Sequence, residues 1–137
     1  MANASNQDRV FSELDHARIM RLARQHITSD GTLPAIVDTL DDGELVEPRA
    51  IPPDVVTMYS RVLVCDDQGE QQELTLCYPQ DTDVAKGMFS VLSPIGAQLL
   101  GLRIGHQAKW TTPGGESKSL RIEAISFQPE ANEDYVL

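Results

Sequence analysis

The chain has 137 residues, 41% of them hydrophobic and 23% charged, the composition of one globular domain or of one small domain with an appendage. Eleven Lys and Arg against 21 Asp and Glu leave a net charge of −10, which argues against a surface built to hold a phosphate backbone and favours a basic or apolar partner. No apolar run reaches the length of a membrane span, and residues 1–11 lack the apolar stretch of a secretory signal, so the expectation is a soluble, cytoplasmic protein without membrane contact.

Residues 1–11 read as a loose start. Ser12 opens a helix, with Asp15 three residues on as a box-like partner, and good helix formers continue to about His26. Leu14, Ala17, Ile19, Leu22 and Ala23 form its apolar stripe. Thr28 to Thr32 read as a tight connection. Thr32 is the expected N-cap of a second helix, with Pro34 in its first turn and Leu33, Ile36, Val37 and Leu40 at helical spacing. This helix fades near Gly43–Glu47, and Pro48, Pro52 and Pro53 mark a linker that few contacts are expected to cross. Residues 1–50 are thus predicted to be a short antiparallel helical hairpin, and its removal to leave a folded remainder. Arg18, Arg21 and Arg24 fall on the first predicted helix, and Asp38, Asp41, Asp42 and Glu44 on the second. Such opposed charges favour the hairpin modestly, or offer a docking surface.

Beyond the linker the period changes to two. Met58–Cys65 and Gln71–Tyr78 read as strands joined by a turn, Pro79–Lys86 as an acidic loop, and Met88–Leu92 as a short strand. Ser93-Pro94 is an N-cap followed by a first-turn proline, Gly101 a terminator, and Ile95, Leu99 and Leu102 the inward face of a two-turn helix. His106–Thr112 and Glu116–Phe127 are two further strands around a Pro113-Gly114-Gly115 hairpin turn, and Gln128–Leu137 is a polar tail. Strands arriving as hairpins around one short helix predict an α+β domain with an antiparallel sheet over residues 51–137.

Few residues suggest chemistry. His16, His26 and His106 lack metal-ligand spacing, and none shows the logic of a catalytic triad. Pro113-Gly114-Gly115-Glu116 lacks the Lys-Ser/Thr of a phosphate loop. Asp30, Asp41-Asp42 and Asp81-x-Asp83 are the acidic clusters, and none completes a metal loop. Across a hairpin, Cys65 and Cys77 would stand about 13 Å apart, too far for a disulfide. One Trp, three Tyr and three Phe do not point to an aromatic-lined pocket of the prolyl isomerase kind. The expectation is a non-enzymatic protein without metal or cofactor.

Ser93-Pro94-Ile95-Gly96-Ala97-Gln98-Leu99-Leu100-Gly101, then Gly105, then Pro113-Gly114-Gly115, closely resembles the C-terminal domain of the bacterial Gre transcript-cleavage factors. Glu13-Leu14-Asp15, Asp54 to Met58, Gln128-Pro129-Glu130 and Asp134-Tyr135 are similar to a shorter branch of that family, the Rnk branch of nucleoside diphosphate kinase regulators. The resemblance implies a two-helix antiparallel coiled coil followed by an FKBP-like antiparallel sheet with one short helix. It implies docking on bacterial RNA polymerase near its secondary channel, with the coiled coil pointing inward. In Gre factors, acidic residues at the coiled-coil tip help place a magnesium ion at the polymerase active site, which activates RNA cleavage.

Here the helices are short, about 20 Å at 1.5 Å per residue, and the tip offers Asp30 beside Gly31 rather than a close acidic pair. Polymerase binding and competition with Gre factors are therefore expected, and cleavage stimulation is not. Ser93, Pro94 and Gln98 are the candidate partner contacts, with Asp30 at the hairpin tip. The expected state is a monomer without sequence-specific nucleic-acid binding. Two alternatives come with the resemblance: control of nucleoside diphosphate kinase level or activity by indirect or protein-contact means, and an FKBP-like prolyl isomerase.

Overall fold

The computed structural model describes residues 9–27, 29–32, 34–41, 43–112 and 114–132. In chain order the elements are β1 (Arg9–Ser12), α1 (Glu13–Arg24), α2 (Ile36–Leu40), β2 (Gly43–Val46), β3 (Arg61–Asp66), β4 (Gln71–Cys77), β5 (Met88–Ser90), α3 (Pro94–Leu99), β6 (Gln107–Thr111) and β7 (Ser117–Phe127). The arrangement is α+β, as the change of period predicts.

Ser12 caps α1: its Oγ accepts the Asp15 amide at 2.9 Å. Of the expected loose start, residues 1–8 lie outside the described residues, and residues 9–11 are ordered as a strand. Arg9–Ser12 pairs in parallel with Gly43–Val46, and Val10 and Phe11 are buried. The second helix is shorter than its apolar spacing predicts. Ile36–Leu40 is preceded by Ala35, which makes no side-chain cap. The N-cap position falls at Ala35 rather than Thr32, whose amide donates to Asp30 Oδ1 at 3.0 Å in a turn where Gly31 takes a positive φ of 84°. A five-residue helix is less than one heptad, too short for the knobs and holes of a coiled coil. Leu33 and Asp42 lie outside the described residues.

The larger sheet runs β5-β4-β3-β7-β6. β3 pairs antiparallel with β4 and β7, and β7 with β6, but β5 lies parallel to β4, so the sheet is mixed rather than antiparallel. The chain leaves β4 through two single 3-10 turns, Pro79–Asp81 and Val84–Lys86, and re-enters beside β4 in the same direction. Two register shifts between β3 and β7 add curl to the sheet. Met58 to Ser60 do not belong to β3. Tyr59 holds a φ of 63°, and the Thr57 and Ser60 side chains lock this corner with a 2.9 Å contact. Cys65 faces Gln71 in register, and it and Cys77 are free thiols.

One apolar cluster runs through the molecule. Phe11, Ile19, Ala23, Ile36 and Leu40 from the first 50 residues share it with Val56, Met58, Val62, Leu76, Leu99, Leu100 and Leu102. Contacts therefore cross the proline-marked linker in number, contrary to the expectation from composition. The segment after β7 also folds back. Gln128, expected in a polar tail, is buried, and its Nε2 donates to the Pro52 and Val55 carbonyls at 2.8 and 2.7 Å. Residues 133–137 lie outside the described residues.

Candidate functional site

The Ser93–Gly101 segment builds α3 as its sequence predicts. Ser93 Oγ accepts the Gly96 amide at 3.1 Å and donates to the Ser90 carbonyl at 2.6 Å, and Pro94 occupies the first turn. Gly96 is obligatory, because a Cβ there would overlap the Ser90 carbonyl oxygen. Gly101 serves another purpose. At a φ of 83° it ends the helix, and its bare Cα leaves room for the Phe11 ring, which is pressed between Gly101 and Gly43. Leu99 and Leu102 are buried, and Ile95 is half-buried against the core.

Of the three candidate contacts on α3, Pro94 is exposed, while Ser93 and Gln98 are half-buried. Ser93 is occupied as a cap. Gln98 is held by Arg9, whose guanidinium donates to the Gln98 carbonyl at 2.9 Å, the Gln98 Oε1 at 3.4 Å and the Leu100 carbonyl at 2.6 Å. A cation on the last carbonyls of a helix satisfies acceptors that have no partner within it. No local signal marks Arg9 as the clamp between β1 and α3, since its partners lie about ninety positions away in sequence.

Asp30 sits in the exposed turn between α1 and α2, remote in sequence from α3. It is the one acidic residue between Gln25 and Ala35. Its carboxylate is engaged with its own turn through the Thr32 amide.

The other polar assembly was not visible in the sequence. Asp15 is buried on α1, where its Oδ2 accepts the Met58 amide at 3.3 Å. Behind that corner, Thr57 Oγ1 donates to Glu130 Oε1 at 2.7 Å. Burial pushes the Asp15 carboxyl up to about 7, Glu130 adds repulsion, and the Met58 amide and Arg18 pull the other way. Tyr78, also raised to about 12, mainly by burial, stands near this carboxyl and Arg18. Tyr59 donates a short hydrogen bond to Asp81 and packs on Tyr78 with ring centroids 5.8 Å apart.

The sign of the pH dependence follows. Folded Asp15 holds a proton that the unfolded chain, with its ordinary value near 3.8, has already released between pH 4 and 7. Its contribution to stability is full below pH 4 and is lost as pH rises toward 7. Asp15→Asn is expected to gain about 2–3 kcal/mol of stability on the parent between pH 5 and pH 8, read as a widening lead in melting temperature. Thermal melts at the two pH values check this, and a variant less stable at both would show that the carboxylate is needed ionised.

Among the described residues no three His, Cys, Asp or Glu side chains converge as a metal site. His26 Nδ1 lies 3.0 Å from the Leu22 carbonyl at the end of α1, and His106 Nδ1 accepts the Arg103 amide at 3.3 Å. Among the described residues, one open depression of about 420 Å³ holds Trp110 beside Lys109 and Lys118, and another of about 220 Å³ holds Tyr78 beside α1. No helix is long and apolar enough to cross a membrane among the described residues.

The features that stand out are the α3 segment, its Arg9 clamp and the short α1–α2 hairpin. Residues 51–127 match the family model of the C-terminal domain of the transcription elongation factors GreA and GreB. The regulator of nucleoside diphosphate kinase from Escherichia coli (strain K12) is 37% identical over 130 residues, covering 93% of this chain and 96% of that protein. A transcription elongation factor GreA from Novosphingobium aromaticivorans is 24% identical over 98 residues, which is 72% of this chain but 61% of that longer factor. A solved GreA/GreB elongation factor from Nitrosomonas europaea superimposes with a TM-score of 0.70 at 35% identity, covering 88% of this chain and all of that one. The chain belongs to the GreA/GreB transcription elongation factor family, and within it is similar along nearly its whole length to the regulators of nucleoside diphosphate kinase.

Proposed function

We propose that this chain is a non-enzymatic transcription regulator that binds bacterial RNA polymerase near its secondary channel. It competes there with Gre factors and does not stimulate RNA cleavage. The observation that carries this reading is the size of the hairpin. α1 has 12 residues, about 18 Å of helix, and α2 has five. The turn between them offers one carboxylate, already hydrogen-bonded to its own backbone. The resemblance to Gre factors supplies the dock, and the stub removes the reach that carries acidic residues to a catalytic metal.

In this reading residues 1–50 are the inward-pointing module, a remnant of the longer Gre coiled coil, and residues 51–137 are the FKBP-like docking module. Pro94 is the exposed contact of the α3 segment, Ser93 and Gln98 flank it, and Asp30 marks the tip. The protein acts as a monomer in the cytoplasm, through protein contact and without sequence-specific nucleic-acid binding. Tagged chain mixed with purified core polymerase is expected to co-elute with it, and excess GreA to displace it. Free elution in separate peaks would refute the docking.

A second reading is favoured by the name of the Escherichia coli relative: control of nucleoside diphosphate kinase level or activity. No nucleotide-binding motif occurs in the sequence. Such control would act by contact with the kinase or through transcription. Kinase activity unchanged by added chain in a purified mixture would assign it to transcription.

A further inference from the structure

We propose that a cleft between α1 and the chain just after β4 receives the carboxylate side chain of an acidic segment on a protein partner. The cleft holds about 220 Å³ and is lined by Arg18, Arg21, Leu22, Gln25, Tyr78 and Gln80. In a chain with 21 acidic residues, this lining contains none. Arg18, Arg21 and Arg24 stand at i, i+3 and i+6 on α1, a like-charge spacing that a helix tolerates at a cost. The sequence predicts that acids of the second helix offset it. They do not: among the described residues Arg21 and Arg24 form no ion pair with Asp38 or Asp41. An anion bound between Arg18 and Arg21 would relieve that repulsion.

The occupant follows from size and charge. The depression is shallow, and its volume lies below the roughly 300 Å³ at which pockets begin to enclose small molecules, a size that matches one acidic side chain. Guanidinium groups match a carboxylate in a two-pronged hydrogen bond. Leu22 and the Tyr78 ring supply an apolar wall that keeps such a pair partly dry. The net charge of −10 opposes a doubly charged phosphate more than a single carboxylate. At physiological salt, screening over about 8 Å leaves the two arginines to dominate locally. The inference does not depend on which protein presents the acid, and it holds whether or not that protein is the polymerase.

The test uses the full chain and a fluorescein-labelled peptide of alternating Glu and Gly, read by anisotropy. Binding is expected, with chemical-shift changes in NMR confined to the lining, Arg18, Arg21, Leu22, Gln25, Tyr78 and Gln80. Arg21→Glu, at an exposed position that should not disturb folding, is expected to weaken binding at least tenfold. Arg24→Glu makes the same charge change on the same helix outside the lining and is expected to change it less than threefold. Equal losses in the two variants would reduce the effect to net charge and overturn the proposal. So would equal binding of a Gln-Gly peptide, displacement by pyrophosphate at a lower concentration than by the unlabelled acidic peptide, or no binding up to about 1 mM.

Discussion

Removing residues 1–50 is expected to leave a chain that retains strand content but loses fixed packing. Phe11, Ile19, Ala23, Ile36 and Leu40 are buried in the same cluster as Val56, Met58, Leu99, Leu100 and Leu102. Each large side chain withdrawn from such a core forfeits about 1.5–3 kcal/mol, against a total stability of about 5–15 kcal/mol for a domain. The truncation also removes the Phe11 wedge against Gly101, the hydrogen bond from the Val10 amide to the Gly101 carbonyl and the Arg9 clamp on α3. The fragment should show a far-ultraviolet β spectrum, a flattened near-ultraviolet spectrum and binding of a hydrophobic dye. A cooperative melt with intact near-ultraviolet signal would instead establish residues 51–137 as an autonomous domain.

Leu99→Asp is expected to be as damaging from a single site. Leu99 is 1% exposed and belongs to the same buried core cluster as Phe11, Met58 and Leu102. An aspartate there is desolvated, and its protonated form still leaves polar oxygens without partners. The loss should reach about 4 kcal/mol or more, enough to unfold a marginal domain at 37 °C. A variant that melts with the parent would place Leu99 on the surface and turn the α3 face into a contact surface.

What the sequence displays, and what it hides, separates by range. The α3 segment was legible because its cap, first-turn proline and terminal glycine are local signals, and each has its predicted role in the structure. β3, β4, β6 and β7 announced themselves by alternation and by turn residues. β1 and β2 did not. Each has four residues, and each is held as a strand by a partner some thirty-four positions away rather than by its own pattern. β5 has three residues, and nothing local distinguishes a parallel from an antiparallel neighbour.

On α1, the buried face turned out to be Asp15, Ile19 and Ala23, while Ala17 is exposed, so an acid occupies a core position of an otherwise apolar stripe. The Met58 amide that satisfies it comes from beyond the linker, and no spacing rule reaches that far. The same holds for Arg9 and Gln128, polar residues buried by carbonyls that only the folded chain supplies. Asp30, by contrast, stands where its Asp-Gly turn signal predicts.

The central claim, docking without reach, is most directly tested on a stalled elongation complex of bacterial RNA polymerase. Added with GreA, the chain should suppress release of short RNA products in proportion to its occupancy. Added alone, it should release none. Asp30→Ala should inhibit as well as the parent, because a tip on a helix of about 18 Å carries its carboxylate to no catalytic metal. Short RNA products from the chain alone, lost on Asp30→Ala, would contradict the account and make the tip an active one.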